Sequence, residues 1–139
     1  MLIRSIVAAL LLFCTAAPAF SQAAPAKKST VTAATPTPDD RAREWLVLVD
    51  DKNYAQSWSE AAKTFQAKQK TDAWAKDAGT RRVPLGAVAN RGLKSIDLSR
   101  NNIAVIRYDT VFARKAAAVE TVTLAFENGA WSVTDYSVE

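Results

Sequence analysis

The chain has 139 residues, a formal net charge of +4, no histidine, one cysteine and one methionine. Without histidine there is no Ser-His-Asp or Cys-His mechanism and no imidazole ligand for a metal. One cysteine cannot close an internal disulfide.

In chain order, the first segment reads as an address. Arg4 precedes an unbroken apolar run over residues 6–13, and Ser21-Gln22-Ala23 has the small-x-small form of a cleavage site. This is the layout of a secretory signal peptide over 1–23, and the run is short of the ~20 residues that cross a bilayer. Phe13 stands before Cys14, where a lipid-anchor motif needs a small residue. The reading is an exported protein, periplasmic or extracellular, cleaved near Ala23 and meeting the membrane only during export. Cleavage removes Met1 and Cys14, so the exported chain lacks thiol nucleophiles and Cys or His metal ligands. Residues 24–38 are rich in Ala, Thr and Pro with no aromatic, a composition that cannot offset chain entropy by burial; they read as a flexible linker. Residues 39–139 form a single domain with room for one core.

Asp39 or Asp40, after Pro38, is placed to cap a first helix, with Glu44 near its first turn. Ala42, Trp45, Leu46, Leu48 and Val49 give that helix an apolar face. After a polar turn at 50–53, Tyr54, Trp58, Ala61, Ala62 and Phe65 recur at helical spacing and predict a second helix. Thr71 or Asp72 caps a short third helix that carries Trp74 and Ala78 and stops at Gly79.

After Pro84-Leu85-Gly86 the period becomes two. A strand lies within 88–98, its phase broken near Gly92 by a bulge. In 103–112, Ala104, Ile106, Tyr108 and Phe112 share one face and Arg107 and Asp109 the other. In 119–126, Val122, Leu124 and Phe126 point one way. Asn128-Gly129 is a hairpin turn, and 130–138 returns with Trp131 and Val133 on one face. The fold class is α+β: two to three N-terminal helices packed on a roughly four-stranded antiparallel sheet.

Charge is uneven. Residues 39–60 hold six acids against three bases, net −3, and residues 81–115 hold eight bases against two acids, net +6. Such asymmetry marks an anionic contact or two segments that pair with each other, and internal pairing is the favoured reading. The bases are not interleaved with aromatics, so nucleic acid is not an expected partner.

Trp45-Leu46-Val47-Leu48-Val49-Asp50, Tyr54, Ser57-Trp58, Phe65, Trp74, Arg82 with Pro84-Leu85-Gly86, Arg91, Lys115, Glu120-Thr121-Val122 and Gly129-Ala130-Trp131 with Tyr136 together resemble an exported bacterial family, domain of unknown function 4019. The resemblance runs from about Arg43 to the C-terminus. It implies export and no established activity. The layout is similar to the cone-shaped folds of the nuclear-transport-factor-2 or cystatin-like kind, which does not fix function. The chain departs from the family pattern in a short turn at Ser99-Arg100-Asn101-Asn102 and in Asn90 before Arg91, where Ser is expected.

Trp45, Trp58, Trp74 and Trp131 could line a cleft, but each position suits core packing. Ser57 has no base beside it. Asp50 and Asp51 are neighbours whose side chains diverge, which suits a helix end or a salt bridge better than paired acid and base. Arg91, Arg107, Lys115 and Glu120 are charges set in strand-like segments. If the sheet is concave, Trp58, Arg91, Tyr108, Glu120 and Tyr136 form a candidate pocket. The favoured function is a non-enzymatic exported accessory module that binds a ligand or an envelope protein, with no catalytic residue, cofactor or metal. The alternative is a small isomerase, lyase or hydrolase using a carboxylate and a tyrosine, from Asp109, Glu120, Tyr108 and Tyr136. A third possibility is a dimer through an exposed sheet face with the basic segment on anionic polymers. Oligomeric state is not legible.

Overall fold

A computed structural model describes residues 34–139. The segment expected to be a signal peptide, 1–23, and residues 24–33 of the expected linker lie outside the described residues. Four helices, α1 (Pro38–Asp50), α2 (Tyr54–Glu60), α3 (Lys63–Lys68) and α4 (Thr71–Arg82), lead through a single 3-10 turn at Val83–Leu85 into four strands. These are β1 (Val88–Asp97), β2 (Ile103–Phe112), β3 (Lys115–Glu127) and β4 (Ala130–Val138). The strands form one antiparallel meander in the order β1-β2-β3-β4.

α1 starts one residue before the expected caps. Thr37 is the N-cap, its hydroxyl accepts from the Asp40 amide, and the Asp40 carboxylate accepts in return from the Thr37 amide. That reciprocal pair satisfies two orphan donors, and Pro38 at the first helical position loses no bond. The Thr37 hydrogen bonds hold the Asp40 carboxyl below its ordinary value.

The expected second helix is two helices. Ala61 and Ala62 are extended, with ψ 164° and 154°. The Ala62 amide donates to the Val133 carbonyl of β4 at 2.8 Å, and the Gln66 side-chain amide reaches the carbonyls of Trp58, Ser59 and Ala61. The break therefore docks the helices onto the sheet and supplies partners for freed carbonyls. Gly79 is likewise not a stop: α4 continues through it to Arg82, and Lys70 precedes its first residue, Thr71. The left-handed glycine lies later, at Gly86, φ 80°.

The helices cover one face of the sheet. Ala104, Ile106, Tyr108, Thr110 and Phe112 of β2 are all buried on that face, as the two-residue period requires. Ala104, Ile106 and Tyr108 pack in one core with Ala42, Trp45, Leu46 and Val49 of α1. Trp45 lies 5.7 Å from Trp74 and 5.5 Å from Tyr136, ring centre to ring centre, and Phe65 meets Trp74 edge-on at 5.0 Å. Aromatic packing thus joins α1, α3, α4 and β4. Trp58 and Trp131 are partly buried against this core.

In β1, register shifts fall between Val88 and Asn90 and between Leu93 and Ser95. They flank Gly92, where the bulge was expected, rather than fall on it. β1 is exposed over most of its length, and Arg91 alone reaches from it to the end of α1 among the hydrogen bonds of the described residues. Asn128 and Gly129 both have positive φ, 53° and 81°, the primed turn that matches strand twist.

Candidate functional site

Alternation along β3 places Ala118, Glu120, Val122 and Leu124 on the helix-covered face. Glu120 is therefore a carboxylate inside the core, with no exposed surface. A buried carboxylate is tolerated only when its oxygens are fully partnered, and here they are. Oε1 accepts from the Arg82 guanidinium and from the Tyr136 hydroxyl at 2.7 Å. Oε2 accepts from Arg91 Nε at 2.7 Å and from the Thr110 hydroxyl at 2.7 Å.

Both guanidinium groups reach on to Asp50, the last residue of α1. Arg82 Nη2 pairs with Oδ1, and Arg91 meets Oδ2 at 2.8 Å and Oδ1 at 3.0 Å. Two arginines and two carboxylates thus close a charge-neutral ring. The Arg82 guanidinium also sits 4.6 Å above the centre of the Phe112 ring, a cation–π contact. With Thr110 and Tyr136 the cluster takes one residue from each of α1, α4, β1, β2, β3 and β4.

Burial alone would raise the Glu120 pKa. The hydrogen bond and charge of Arg91, the charge of Arg82 and the Thr110 hydroxyl outweigh it, and the carboxyl titrates below its ordinary value. Burial likewise opposes charge on Arg91, but the hydrogen bonds and charges of Asp50 and Glu120 raise its pKa. Burial first, and then the Glu120 charge, push the Tyr136 phenol up.

Of the five expected pocket residues, Arg91, Glu120 and Tyr136 converge in this cluster. Tyr108 and Trp58 do not. Tyr108 is on the same sheet face, but its hydroxyl donates to Asp39 Oδ1 at 2.6 Å and Arg43 lies 5.1 Å from its ring centre. Asp39 is in the first turn of α1 and Asp50 ends it, so the two polar sites are roughly 16 Å apart along the helix. Burial and then the Asp39 hydrogen bond raise the Tyr108 pKa. The Trp58 indole donates to the Gln69 carbonyl at 2.8 Å, outside the cluster. Arg107 and Asp109, expected on one face, are both exposed, and Asp109 pairs with Lys94 at 2.8 Å.

The sequence reading did not place Asp50, Arg82 or Thr110 at the site. The alternation that buries Thr110 was legible; the convergence of Asp50 and Arg82 was not. Ser57 proves to be a partner for indoles. Its hydroxyl accepts from Trp74 Nε1 at 2.9 Å and donates to the Tyr54 carbonyl, and its own carbonyl accepts from Trp45 Nε1 at 2.7 Å.

A cleft of about 270 Å³ opens beside the cluster, between the end of α1, the start of α2, the 3-10 turn and the β2–β3 turn. Asp50 and Arg82 reach its wall together with Lys52, Tyr54, Val83 and Arg114. Glu120 does not line it. Among the described residues no group of three or more His, Cys, Asp or Glu side chains is placed to hold a metal ion.

The family described as protein of unknown function (DUF4019) matches residues 41–136. The chain belongs to that family. No curated protein matches it. Among solved structures, a Campylobacter jejuni protein provisionally described as an NTF2-like transpeptidase is 21% identical, with a TM-score of 0.50 over 70% of this chain and 97% of that one. The likeness supports an NTF2-like α+β fold.

Proposed function

We propose that this member of the family is an exported accessory module of the cell envelope that binds a ligand or partner without catalysing a reaction. The observation that carries the reading is the saturation of Glu120. A general base needs a free lone pair within reach of a substrate proton. Each Glu120 oxygen already accepts from two donors, and the carboxyl is held ionised by its guanidinium neighbours. Tyr136 is engaged by the same carboxylate, and Asp109 is on the opposite, exposed face in a pair with Lys94. The side chains offered for a carboxylate-and-tyrosine enzyme therefore do not meet across a cavity. Export rests on the signal-like segment at 1–23.

The test is a carbon-13 NMR titration of the Glu120 side-chain carboxyl. The expected outcome is no titration between about pH 5 and 8. A midpoint inside that window would mark an exchangeable proton poised for chemistry and would overturn the reading. Fractionation of the host cells checks export: the protein is expected outside the cytoplasm with its N-terminus near Ala24.

A further inference from the structure

We propose that the cleft at the end of α1 holds the carboxylate of a small organic anion whose short apolar body lies along Val49, Val83 and Ala87. This rests on the binding-module reading and names the class of its ligand.

The lining is cationic. Asp50 is its one acidic residue, and Arg82 and Arg91 already neutralise it. Lys52 and Arg114 have no carboxylate within ion-pair distance among the described residues. Among the described residues the Arg114 guanidinium donates only to the Val83 carbonyl, at 3.5 Å.

A third group points the same way. The Tyr54 hydroxyl is buried and has no hydrogen-bond partner among the described residues, and Tyr54 lines the cleft. Buried hydroxyls are ordinarily paired, and one left unpaired calls for a reason. A carboxylate in the cleft would face Lys52 and Arg114, and a small turn of the Tyr54 ring, whose hydroxyl has no exposed surface in the ligand-free structure, would let it accept from Tyr54 as well.

The backbone fixes this arrangement. Lys52 has φ 62°, a left-handed conformation that costs energy in a non-glycine residue. The Arg114 amide donates to the Leu85 carbonyl at 2.9 Å and the Ala113 amide to the Ala87 carbonyl at 2.8 Å. Those bonds hold the β2–β3 turn against Gly86, where an added Cβ would lie 3.1 Å from the Ala113 Cβ. At about 270 Å³ the cleft is smaller than sites for drug-sized molecules, which selects a short ligand. The apolar wall favours a carboxylate with a hydrocarbon body over inorganic phosphate.

The experiment follows backbone amide NMR signals of the purified protein during titration with acetate, butyrate and hexanoate, with inorganic phosphate in parallel. Saturable shifts are expected at Lys52, Tyr54, Ala87 and Arg114 with butyrate or hexanoate and not with phosphate. Arg114→Ala should weaken that binding roughly tenfold, the loss of one charge-assisted contact. Tyr54→Phe should weaken it too, while raising the thermal midpoint of the ligand-free protein because an unpaired buried hydroxyl is removed. The proposal is overturned by shifts that do not saturate, by shifts elsewhere, by equal binding of phosphate, or by a Tyr54→Phe midpoint that stays level or falls. The Glu120 titration is independent of these outcomes, so a failed ligand class and a failed binding-module reading are told apart.

Discussion

Arg91 and Lys94 stand three residues apart on β1, and each pairs with a carboxylate from another strand. Their surroundings differ. The Arg91 side chain is 10% exposed and its partner Glu120 fully buried, whereas Lys94 and Asp109 are 47% and 63% exposed. Alternation along the strands sends one pair under the helices and the other to the outer face. A surface pair exchanges water contacts for a screened attraction of similar worth. A buried pair has no water to fall back on, so each member depends on the others. The comparison teaches that a pair of opposite charges fixes the architecture on one face, as Arg91 with Glu120, and leaves it almost untouched on the other, as Lys94 with Asp109.

The strongest way to break this comparison is Glu120→Ala. It leaves Arg82 and Arg91 with Asp50 as their only carboxylate, and the expected loss is about 3–5 kcal/mol in urea unfolding. A loss no larger than that of a surface substitution would erase the contrast.

pH sharpens it next. The Glu120 pKa is lowered on folding from an ordinary value of 4.5, so its contribution is complete above that value and is lost as pH falls through the lower folded pKa. The Tyr136 and Tyr108 pKa values are raised on folding from 10.0, so theirs is complete below that value and is lost as pH rises toward the raised folded values. Thermal midpoints across pH should show a plateau with acid and alkaline edges. Tyr136→Phe should soften the alkaline edge.

A smaller effect is expected inside the apolar part of the core. Ser57→Ala strips the Trp74 indole of its acceptor and should cost about 1–3 kcal/mol by chemical unfolding. Smallest is Lys94→Ala, expected to change stability by less than about 0.5 kcal/mol in the same assay.

The sequence pattern carried the order of elements, the buried face of β2 and the Asn128-Gly129 turn, because each depends on residues close in the chain. It also carried the internal pairing of the acidic and basic segments in one instance, Asp50 with Arg82 and Arg91. It missed the break at Ala61–Ala62, because an apolar helical spacing runs straight through it and the cause is a hydrogen bond to Val133 on the last strand. It misplaced the end of α4 for a related reason. A glycine stops a helix only where the chain turns left-handed, and that turn comes at Gly86 after the proline. The site was half legible. Arg91, Glu120 and Tyr136 stood out as polar groups in strands, while Arg82 and Asp50 end helices and reach Glu120 and Arg91 across separations of 38 and 41 residues. Only docking of α1 and α4 on the sheet brings them there.

The central claim is that the neutral ring of Asp50, Arg82, Arg91 and Glu120 acts as one unit joining both long helices to the sheet. A double-mutant cycle of Arg91→Met and Glu120→Leu, read by urea unfolding, tests it most directly. The account predicts that the double variant loses less than the two single losses combined, by more than about 1.5 kcal/mol, because removing both partners leaves fewer charges stranded. Losses that add to within about 0.5 kcal/mol would show two independent side chains and contradict it.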